Sequence, residues 1–254
     1  MKSPLKDSVT NFKGLGEIQQ LIPAGAVIDS YLLFGGSLEL QLASTDRFVV
    51  AHTDKFVVYE FWKSILDEPW RVAEIVKRLY PIRDEREFYT LQEHWPKYKD
   101  PAARSALFFL LNRCSGEGLI SSGKFSNKNF NPVALARLAN FQPPTNFHLK
   151  FNATEDVVES IMRPTDAEYK LIPAGRFNYN LMEYGIHKGF ETSTVYHRRL
   201  CEALRDDPHK WVLLYKDHRY VRRIFKDFRV TMLNQHGVVT TNRKDCEELI
   251  IANF

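Results

Sequence analysis

The chain has 254 residues, 44% of them hydrophobic and 13% aromatic, which is enough to bury the core of one large domain. Its 35 lysines and arginines nearly balance 31 acidic residues, which leaves a net charge of +4. This balance excludes a polycation, so any affinity for nucleic acid must come from where the positive side chains lie.

Cysteine usage and apolar runs indicate where the chain resides. The three cysteines, Cys114, Cys201 and Cys246, are widely spaced and fit neither a disulfide framework nor a zinc site. The N-terminal residues lack the pattern of a signal peptide, and no apolar run reaches the ~18 residues of a membrane span. The sequence therefore predicts a reducing, cytoplasmic location, with no membrane association and no metal site.

The N-terminal part of the chain alternates short helices with apolar strands. In chain order, the predicted elements are a helix over Leu15–Ile22, a strand within Val27–Leu33, a helix over Ser37–Ala43, a strand over Phe48–His52 and a helix over Phe56–Leu66. Gly35 and Gly36 lie between the first strand and the second helix, and Asp54 follows the second strand. A strand, a glycine turn and a helix in this order are typical of the first unit of a nucleotide-binding α/β fold.

The middle of the chain has a different pattern, in which helical spacing dominates. The predicted helices are Pro69–Leu79, Glu85–Trp95, Pro101–Asn112 and Val133–Asn140. A segment rich in Gly, Ser and Asn separates the last two of these helices, from Gly116 to Pro132. We interpret residues 68–147 as a helical insert within an α/β core formed by residues 1–67 and 148–254.

The last part of the chain returns to the α/β pattern. The predicted strands are Phe147–Phe151, Tyr169–Ile172, Trp211–Tyr215, Arg229–Leu233 and Glu248–Ile251, and the predicted helices are Ser193–Asp206 and Val221–Phe228. Short apolar strands separated by helices indicate an α/β sheet that the insert interrupts once.

The stretch Phe108–Leu119 (FFLLNRCSGEGL), followed by Gly123 and Asn127, resembles a segment of the Dam-type DNA adenine-N6 methyltransferases. Further stretches resemble elements of that family in the same order, and they are Asn11–Pro23, Tyr31–Leu40, Thr53–Trp62, Asp67–Pro69, Trp211–Val230 and Glu248–Phe254. The resemblance covers nearly the whole chain. It implies a Rossmann-like, S-adenosylmethionine-dependent methyltransferase sheet with a helical insert that recognises double-stranded DNA.

The resemblance also implies where remnants of an S-adenosylmethionine site lie. The residues at the matching positions are Lys13, Asp29, Gly35, Gly36 and Asp54. Glycines let the backbone approach a ligand, and an acid after the second strand accepts hydrogen bonds from ribose hydroxyls. The alternatives are a tight turn without a ligand for the glycines and a helix cap for Asp54.

Two departures from the family's pattern predict that S-adenosylmethionine binding is weak or absent. The family's acidic-proline-aromatic triplet has lost its proline here. Phe34 occupies a glycine position, where we expect its ring to fill the space of the methionine moiety, unless one residue is inserted and Asp29 serves as the acid.

The family's catalytic motif is Asp-Pro-Pro-Tyr, whose Asp and proline carbonyl hold the adenine amino group while the Tyr stacks on the flipped base. Counting back from Leu181–Phe190, which resembles the next family element, places Pro173, Ala174, Gly175 and Arg176 in its slot. These residues offer no acid, no amide and no aromatic ring, so the motif is degenerate. A shifted alignment brings Asn178 and Asn180 into the slot instead, which supplies an amide but no proline pair.

Candidate DNA contacts lie in two basic stretches. The family places a phosphate-contacting arginine at Arg113, and Lys124, Asn127 and Lys128 lie on a predicted hairpin that can enter a groove. A second cluster includes Arg222 and Arg223 on one face of the predicted basic helix, Val221–Phe228. The alternatives are a solvated loop and a solvated helix face.

Together these patterns predict a catalytically degenerate homologue of DNA adenine methyltransferases. It would act as a DNA-binding or scaffolding subunit, with an active paralogous methyltransferase as its partner. One alternative is an active enzyme with an unorthodox catalytic motif. Another is a protein-interaction module that keeps only the fold.

Overall fold

The computed structural model describes residues 2–7, 12–116, 118–121, 123–154, 156–175 and 195–254. They form a seven-stranded sheet in the order β3-β2-β1-β4-β5-β7-β6. The strands are β1 (Val27–Ser30), β2 (Phe48–Thr53), β3 (Phe147–Phe151), β4 (Tyr169–Gly175), β5 (Lys210–Lys216), β6 (Arg229–Leu233) and β7 (Glu248–Ala252).

Helices cover both faces of this sheet. They are α1 (Leu15–Leu21), α2 (Ser37–Ala43), α3 (Phe56–Asp67), α4 (Pro69–Leu79), α5 (Glu85–His94), α6 (Pro101–Arg113), α7 (Pro132–Ala139), α8 (Val157–Met162), α9 (His197–Arg205) and α10 (Arg219–Ile224). Short 3₁₀ turns occur at Trp95–Lys97, Asn127–Asn129 and Arg243–Asp245.

The strand directions define the fold class. Strands β1 to β5 are parallel to one another, whereas β7 runs antiparallel between β5 and β6. The chain builds outward from β1 to β3 and then returns to the other side of β1 for β4, which creates a topological switch point between β1 and β4. This mostly parallel, doubly wound order confirms the predicted Rossmann-like α/β sheet.

The hydrophobic core lies in two layers, one on each face of the sheet. On the larger face, the helices of the insert pack directly on α3. The rings of Phe61 and Phe108 stack at 4.9 Å, and the ring of Trp62 meets that of Phe141 at 5.9 Å. Residues 68–147 therefore share one continuous hydrophobic cluster with the sheet.

The structure refines three of the predicted element boundaries. Strand β1 lies within the predicted range and ends at Ser30, because Leu32 has a left-handed φ of 62° that no strand allows. The basic helix spans Arg219–Ile224, because the side chain of His218 caps it at the backbone N–H of Tyr220. Strand β4 continues to Gly175, through Pro173 and a register shift against β5.

Two further elements differ from the sequence patterns. Helix α8 was not predicted. Helix α9 begins at His197, and residues 193–194 of the predicted helix lie outside the described residues.

The described residues also bear on the membrane and metal predictions. None of their helices is long and apolar enough to cross a membrane. The three cysteines are buried and free of disulfides. Within the described ranges, no cluster of His, Cys, Asp and Glu side chains has the size of a metal site.

Candidate functional site

The candidate site lies at the carboxyl ends of β1, β2 and β4, beside the switch point. In open α/β sheets, ligands bind in the crevice outside these strand ends, where neighbouring connections diverge. Here Tyr31 follows β1, Asp54 follows β2, and Pro173–Gly175 ends β4.

Asp29 in β1 is buried, and its carboxylate is already engaged by the protein. It contacts His52 Nε2 at 3.0 Å and accepts hydrogen bonds from the Thr165 hydroxyl at 2.5 Å and the Tyr31 hydroxyl at 3.5 Å. Burial by itself would raise the pKa of Asp29, but the hydrogen bonds from His52 and Thr165 outweigh it and hold the pKa below its ordinary value. The acid predicted to meet a cofactor thus serves an internal network.

His52 and Tyr31 close the space next to Asp29. Their rings stack at 4.8 Å with an interplanar angle of 21°. The second ring nitrogen of His52 accepts a hydrogen bond from the Asn152 side-chain amide at 3.0 Å, and this amide also donates to the Ser160 hydroxyl at 2.7 Å. The polar network therefore runs from β1 across β2 to α8.

The cavity left among these side chains is very small. It measures about 10 Å³ and lies between Tyr31, His52, Asp54 and α8. A cavity of this size holds about one water molecule. The described side chains of Tyr31, His52 and Asp54 therefore pack closely against α8.

Asp54 directly follows β2, as predicted. Its side chain is 6% exposed and contacts the Lys55 ammonium at 2.8 Å. Helix α3 has Lys55 at its N-cap and no side-chain cap hydrogen bond, so the helix-cap explanation for Asp54 is wrong. Ribose recognition by this carboxylate stays a prediction.

The glycine turn is packed against the protein itself. A Cβ atom on Gly36, which has φ of +66°, would lie 2.4 Å from the Trp62 ring, and one on Gly35 would lie 2.3 Å from Asp7 Oδ2. The Phe34 ring does not point into cofactor space as expected. It is buried in the core with its centroid 6.1 Å from the Phe108 ring, while its carbonyl accepts a hydrogen bond from Trp62 at 2.8 Å.

Glu39 in α2 is a buried acid beside this turn that the sequence patterns did not single out. It is 4% exposed and accepts a hydrogen bond from the Ser30 hydroxyl at 2.9 Å. Burial raises the pKa of Glu39 to about 7, backbone and Ser30 hydrogen bonds oppose this rise, and the charge of Asp7 adds to it. An acid inside an otherwise apolar helix face was the available sequence signal.

Glu39 should make the stability of the fold depend on pH. The pKa of Glu39 rises on folding from 4.5 to about 7, so the folded state holds the carboxyl proton more tightly than the unfolded state. The stability that this proton contributes is fully present below pH 4.5 and is lost as pH rises through about 7. We expect the unfolding free energy to fall by on the order of 3 kcal/mol across this window. Urea titrations at several pH values measure this change in unfolding free energy. Glu39→Gln should flatten this part of the profile, and an unchanged slope in that variant would contradict the assignment.

Lys13 lies away from Asp29 and Asp54, beside the β6–β7 edge. Its ammonium donates to the carbonyl of Gln235 at 2.6 Å, and its backbone N–H donates to Glu248 at 2.9 Å. These contacts give Lys13 a structural role, and cofactor binding by Lys13 stays a prediction.

The end of β4 carries the degenerate motif. Pro173 pairs with Leu214 and Gly175 with Tyr215 across a register shift, and Gly175 has φ of +72°. Arg176, Asn178 and Asn180 lie outside the described residues.

A buried polar pair next to Gly175 was missed by the sequence patterns. The Tyr215 hydroxyl lies 2.6 Å from His197 Nδ1. Burial raises the pKa of this phenol far above its ordinary value, so the hydroxyl stays neutral. The sequence did not single out Tyr215, because it lies in an apolar strand and a buried tyrosine there is normally a core residue. Its hydrogen bond to His197 is visible only in the structure.

The Asn112-Arg113 pair of the family-like segment holds the N-terminal residues. The Arg113 guanidinium donates to the carbonyl of Pro4, with Nε at 2.8 Å, and lies 5.8 Å from the Phe109 ring centroid. Burial lowers the pKa of Arg113 to about 10. The predicted phosphate contact is therefore engaged within the chain.

The other predicted DNA contacts are more accessible. Lys124, Asn127 and Lys128 are exposed; Lys124 lies in the loop closed by the antiparallel bridge between Ser115 and Phe125, and the other two follow that bridge. The predicted hairpin is thus a loop with a 3₁₀ turn at Asn127–Asn129.

On the basic helix, the two predicted arginines differ. Arg222 pairs with Asp217 at 2.5 Å, whereas Arg223 is exposed and lies 5.0 Å from the Tyr220 ring centroid. Arg223 is therefore the better placed of the two for a phosphate.

No protein-family model and no curated protein matches the chain. Among solved structures, it is similar to a TehB-like SAM-dependent methyltransferase from Corynebacterium glutamicum, with 8% identity and a TM-score of 0.42 over 95% of this chain and 86% of that one. It is also similar to phosphoethanolamine N-methyltransferase 1 from Haemonchus contortus, with 8% identity and a TM-score of 0.36 over 96% of this chain and 41% of that one. The fold thus rests on the strand order, and the likeness to Dam-type enzymes rests on the sequence motifs.

Proposed function

We propose that this chain is a DNA-binding homologue of the Dam-type adenine-N6 methyltransferases that does not itself transfer methyl groups. It serves as a DNA-binding or scaffolding subunit beside an active methyltransferase of the same family. The observation that carries the proposal is the engagement of Asp29 within the chain, where His52 Nε2 and the Thr165 hydroxyl contact its carboxylate.

S-adenosylmethionine fits the described residues poorly. A nucleoside cofactor needs an open crevice at the ends of β1 and β2, an accessible acid, and a glycine turn that no other side chain covers. Here the carboxylate of Asp29 is contacted by His52 and Thr165, and Asp7 packs on Gly35. We therefore derive no step of a reaction through this cofactor.

Calorimetry should detect little or no binding of S-adenosylmethionine to the isolated chain. Opening the site requires separating the Tyr31–His52 stack and replacing the hydrogen bonds of Asp29, and that cost lowers the apparent affinity. Low-micromolar binding by the wild-type protein would contradict the proposed loss of cofactor affinity.

DNA binding is supported by the exposed basic loop and by Arg223. Lys124 and Lys128 are exposed lysines on either side of Phe125, which forms an antiparallel bridge with Ser115. Such side chains bind phosphate oxygens by charge-assisted hydrogen bonds and release counterions. A local basic surface can do this even though the net charge is only +4.

Replacing Lys124 or Lys128 with Ala should weaken binding to a DNA duplex by a few tenths to about 2 kcal/mol each. Each change should also reduce the slope of log affinity against log salt by about 1. Fluorescence anisotropy at several salt concentrations measures both effects. The control is Lys77→Ala, which removes a lysine that pairs with Glu74 on α4.

Unchanged affinity in both loop variants would remove this loop as the DNA-contacting element. Arg113→Ala is a poor test, because it also releases Pro4.

A further inference from the structure

A short N-terminal strap, defined as Ser3–Asp7, is held by the end of α6. The side-chain amide of Asn112 accepts a hydrogen bond from the Lys6 N–H at 2.7 Å and donates one to the Lys6 carbonyl at 2.8 Å. Arg113 donates to the carbonyl of Pro4 at 2.8 Å. Two consecutive residues of the insert thus bind the backbone of the strap.

Burial and close backbone contact add to these anchors. The Leu5 side chain is 4% exposed and belongs to the main hydrophobic cluster. The Lys6 ammonium donates to the carbonyl of Gly116, and a Cβ atom on Gly118 would lie 2.5 Å from the Lys6 carbonyl oxygen. The strap is therefore seated along the base of the loop that carries Lys124 and Lys128.

The far end of the strap covers the glycine turn. The Asp7 carboxylate occupies the position that a side chain of Gly35 would take, with Oδ2 2.3 Å from the ideal Cβ position. Because Gly35 has no side chain, Asp7 approaches its backbone as closely as a ligand could.

Tyr31 lies on the same short segment as Gly35. That segment joins β1 to α2, and it includes Leu32 with its left-handed φ of 62°. Its hydrogen bond from the Leu33 N–H to the His52 carbonyl measures 2.9 Å. The segment between Tyr31 and Gly35 is therefore anchored to β2 at Leu33.

We propose that the strap is an autoinhibitory latch. Asp7 closes the glycine turn, the insert holds the strap in that position through Asn112 and Arg113, and release of the strap opens the turn to an adenosine-containing ligand. This inference rests on the proposed function, because it explains the weak cofactor affinity expected there as a closed state of the site.

Two strap variants and one matched control test the latch. Asp7→Ala removes the covering carboxylate, and Asn112→Ala removes the anchor of Lys6. Gln92→Ala is the control, because Gln92 donates to the carbonyls of Ile120 and Gly123 in the same loop rather than to the strap.

Hydrogen–deuterium exchange of the peptide that covers residues 31–37 is the first measurement. We expect faster exchange in both strap variants and no change in the Gln92→Ala control, with the amides of β5 as the internal reference for global stability. Equal acceleration in the control, or no acceleration in either strap variant, would overturn the latch. Asp7→Ala keeps the test valid even where Asn112→Ala fails to fold.

Calorimetry with S-adenosylhomocysteine is the second measurement. We expect each folded strap variant to bind at least about tenfold more tightly than the wild type, because the open state is more populated. Weaker binding in Asp7→Ala would make Asp7 a ligand contact and overturn the latch. Low-micromolar binding by the wild type would instead contradict the proposed function, so the two failures are distinguishable.

Discussion

The isolated chain is expected to leave adenine in duplex DNA unmethylated. The exocyclic amine is a weak nucleophile, because its lone pair is delocalised into the ring, and an active enzyme holds its protons and clamps the base. In the described part of the slot, Pro173, Ala174 and Gly175 offer no acidic acceptor and no aromatic face. Removing one such stabilising group typically costs about 10²–10³ in rate. Because both the acid and the aromatic ring are missing, we expect turnover at least about 10⁴-fold below that of an active family member.

A tritiated-methyl transfer assay on mixed-sequence DNA measures this directly. The assay is run with this chain alone and together with an active Dam-type methyltransferase. Incorporation only in the presence of the active enzyme agrees with a scaffolding role. Robust incorporation by this chain alone would overturn the proposal, and Asn178→Ala and Asn180→Ala would then identify the amide that holds the adenine amino group.

Lys170→Met should cost about 3–5 kcal/mol of unfolding free energy, the typical loss when one partner of a buried ion pair is removed. Lys170 in β4 and Asp207 are each 1% exposed, and their side chains meet at 2.6 Å. Burial alone would raise the pKa of Asp207, but hydrogen bonds from Lys170 and His209 outweigh it and lower the pKa. The carboxylate therefore stays charged, and the variant leaves it without its main partner.

Chemical denaturation of three proteins tests this prediction. The wild type and Lys170→Met should differ by the stated amount, whereas the double variant Lys170→Met with Asp207→Leu should regain most of the stability, because no charge is then left buried. A loss below about 1 kcal/mol in the single variant would show that solvent reaches the pair.

The same pair connects with the candidate site. His209 contacts Asp207 through Nδ1 at 2.7 Å and the carbonyl of Thr165 through Nε2 at 3.2 Å. The Thr165 hydroxyl in turn binds Asp29. Loss of the ion pair should therefore also weaken the hydrogen bond between Thr165 and Asp29. We expect Lys170→Met to speed hydrogen exchange near Asp29 as well as to lower stability.

Most helices and strands were predictable from the sequence, because their signals are local. The strands Phe48–Thr53 and Glu248–Ala252 are apolar runs that are largely buried, and Pro23 and Pro69 mark helix boundaries. Helix α8 was missed because its six residues are too few for a helical period to stand out. The early end of β1 at Ser30 was missed because Leu32 carries no local sign of its positive φ.

The sequence by itself determined the class of sheet, the place of the glycine turn and the absence of acid and aromatic groups from Pro173–Gly175, since these depend on residue type and order. Only the tertiary structure decided what the candidate residues do. Asp29 meets Thr165 from 136 positions away, Phe34 turns into a core built by α6, and Arg113 binds the backbone of Pro4. The physical reason is that hydrogen-bond partners and burial are set by packing between distant segments, which residue spacing along the chain does not encode.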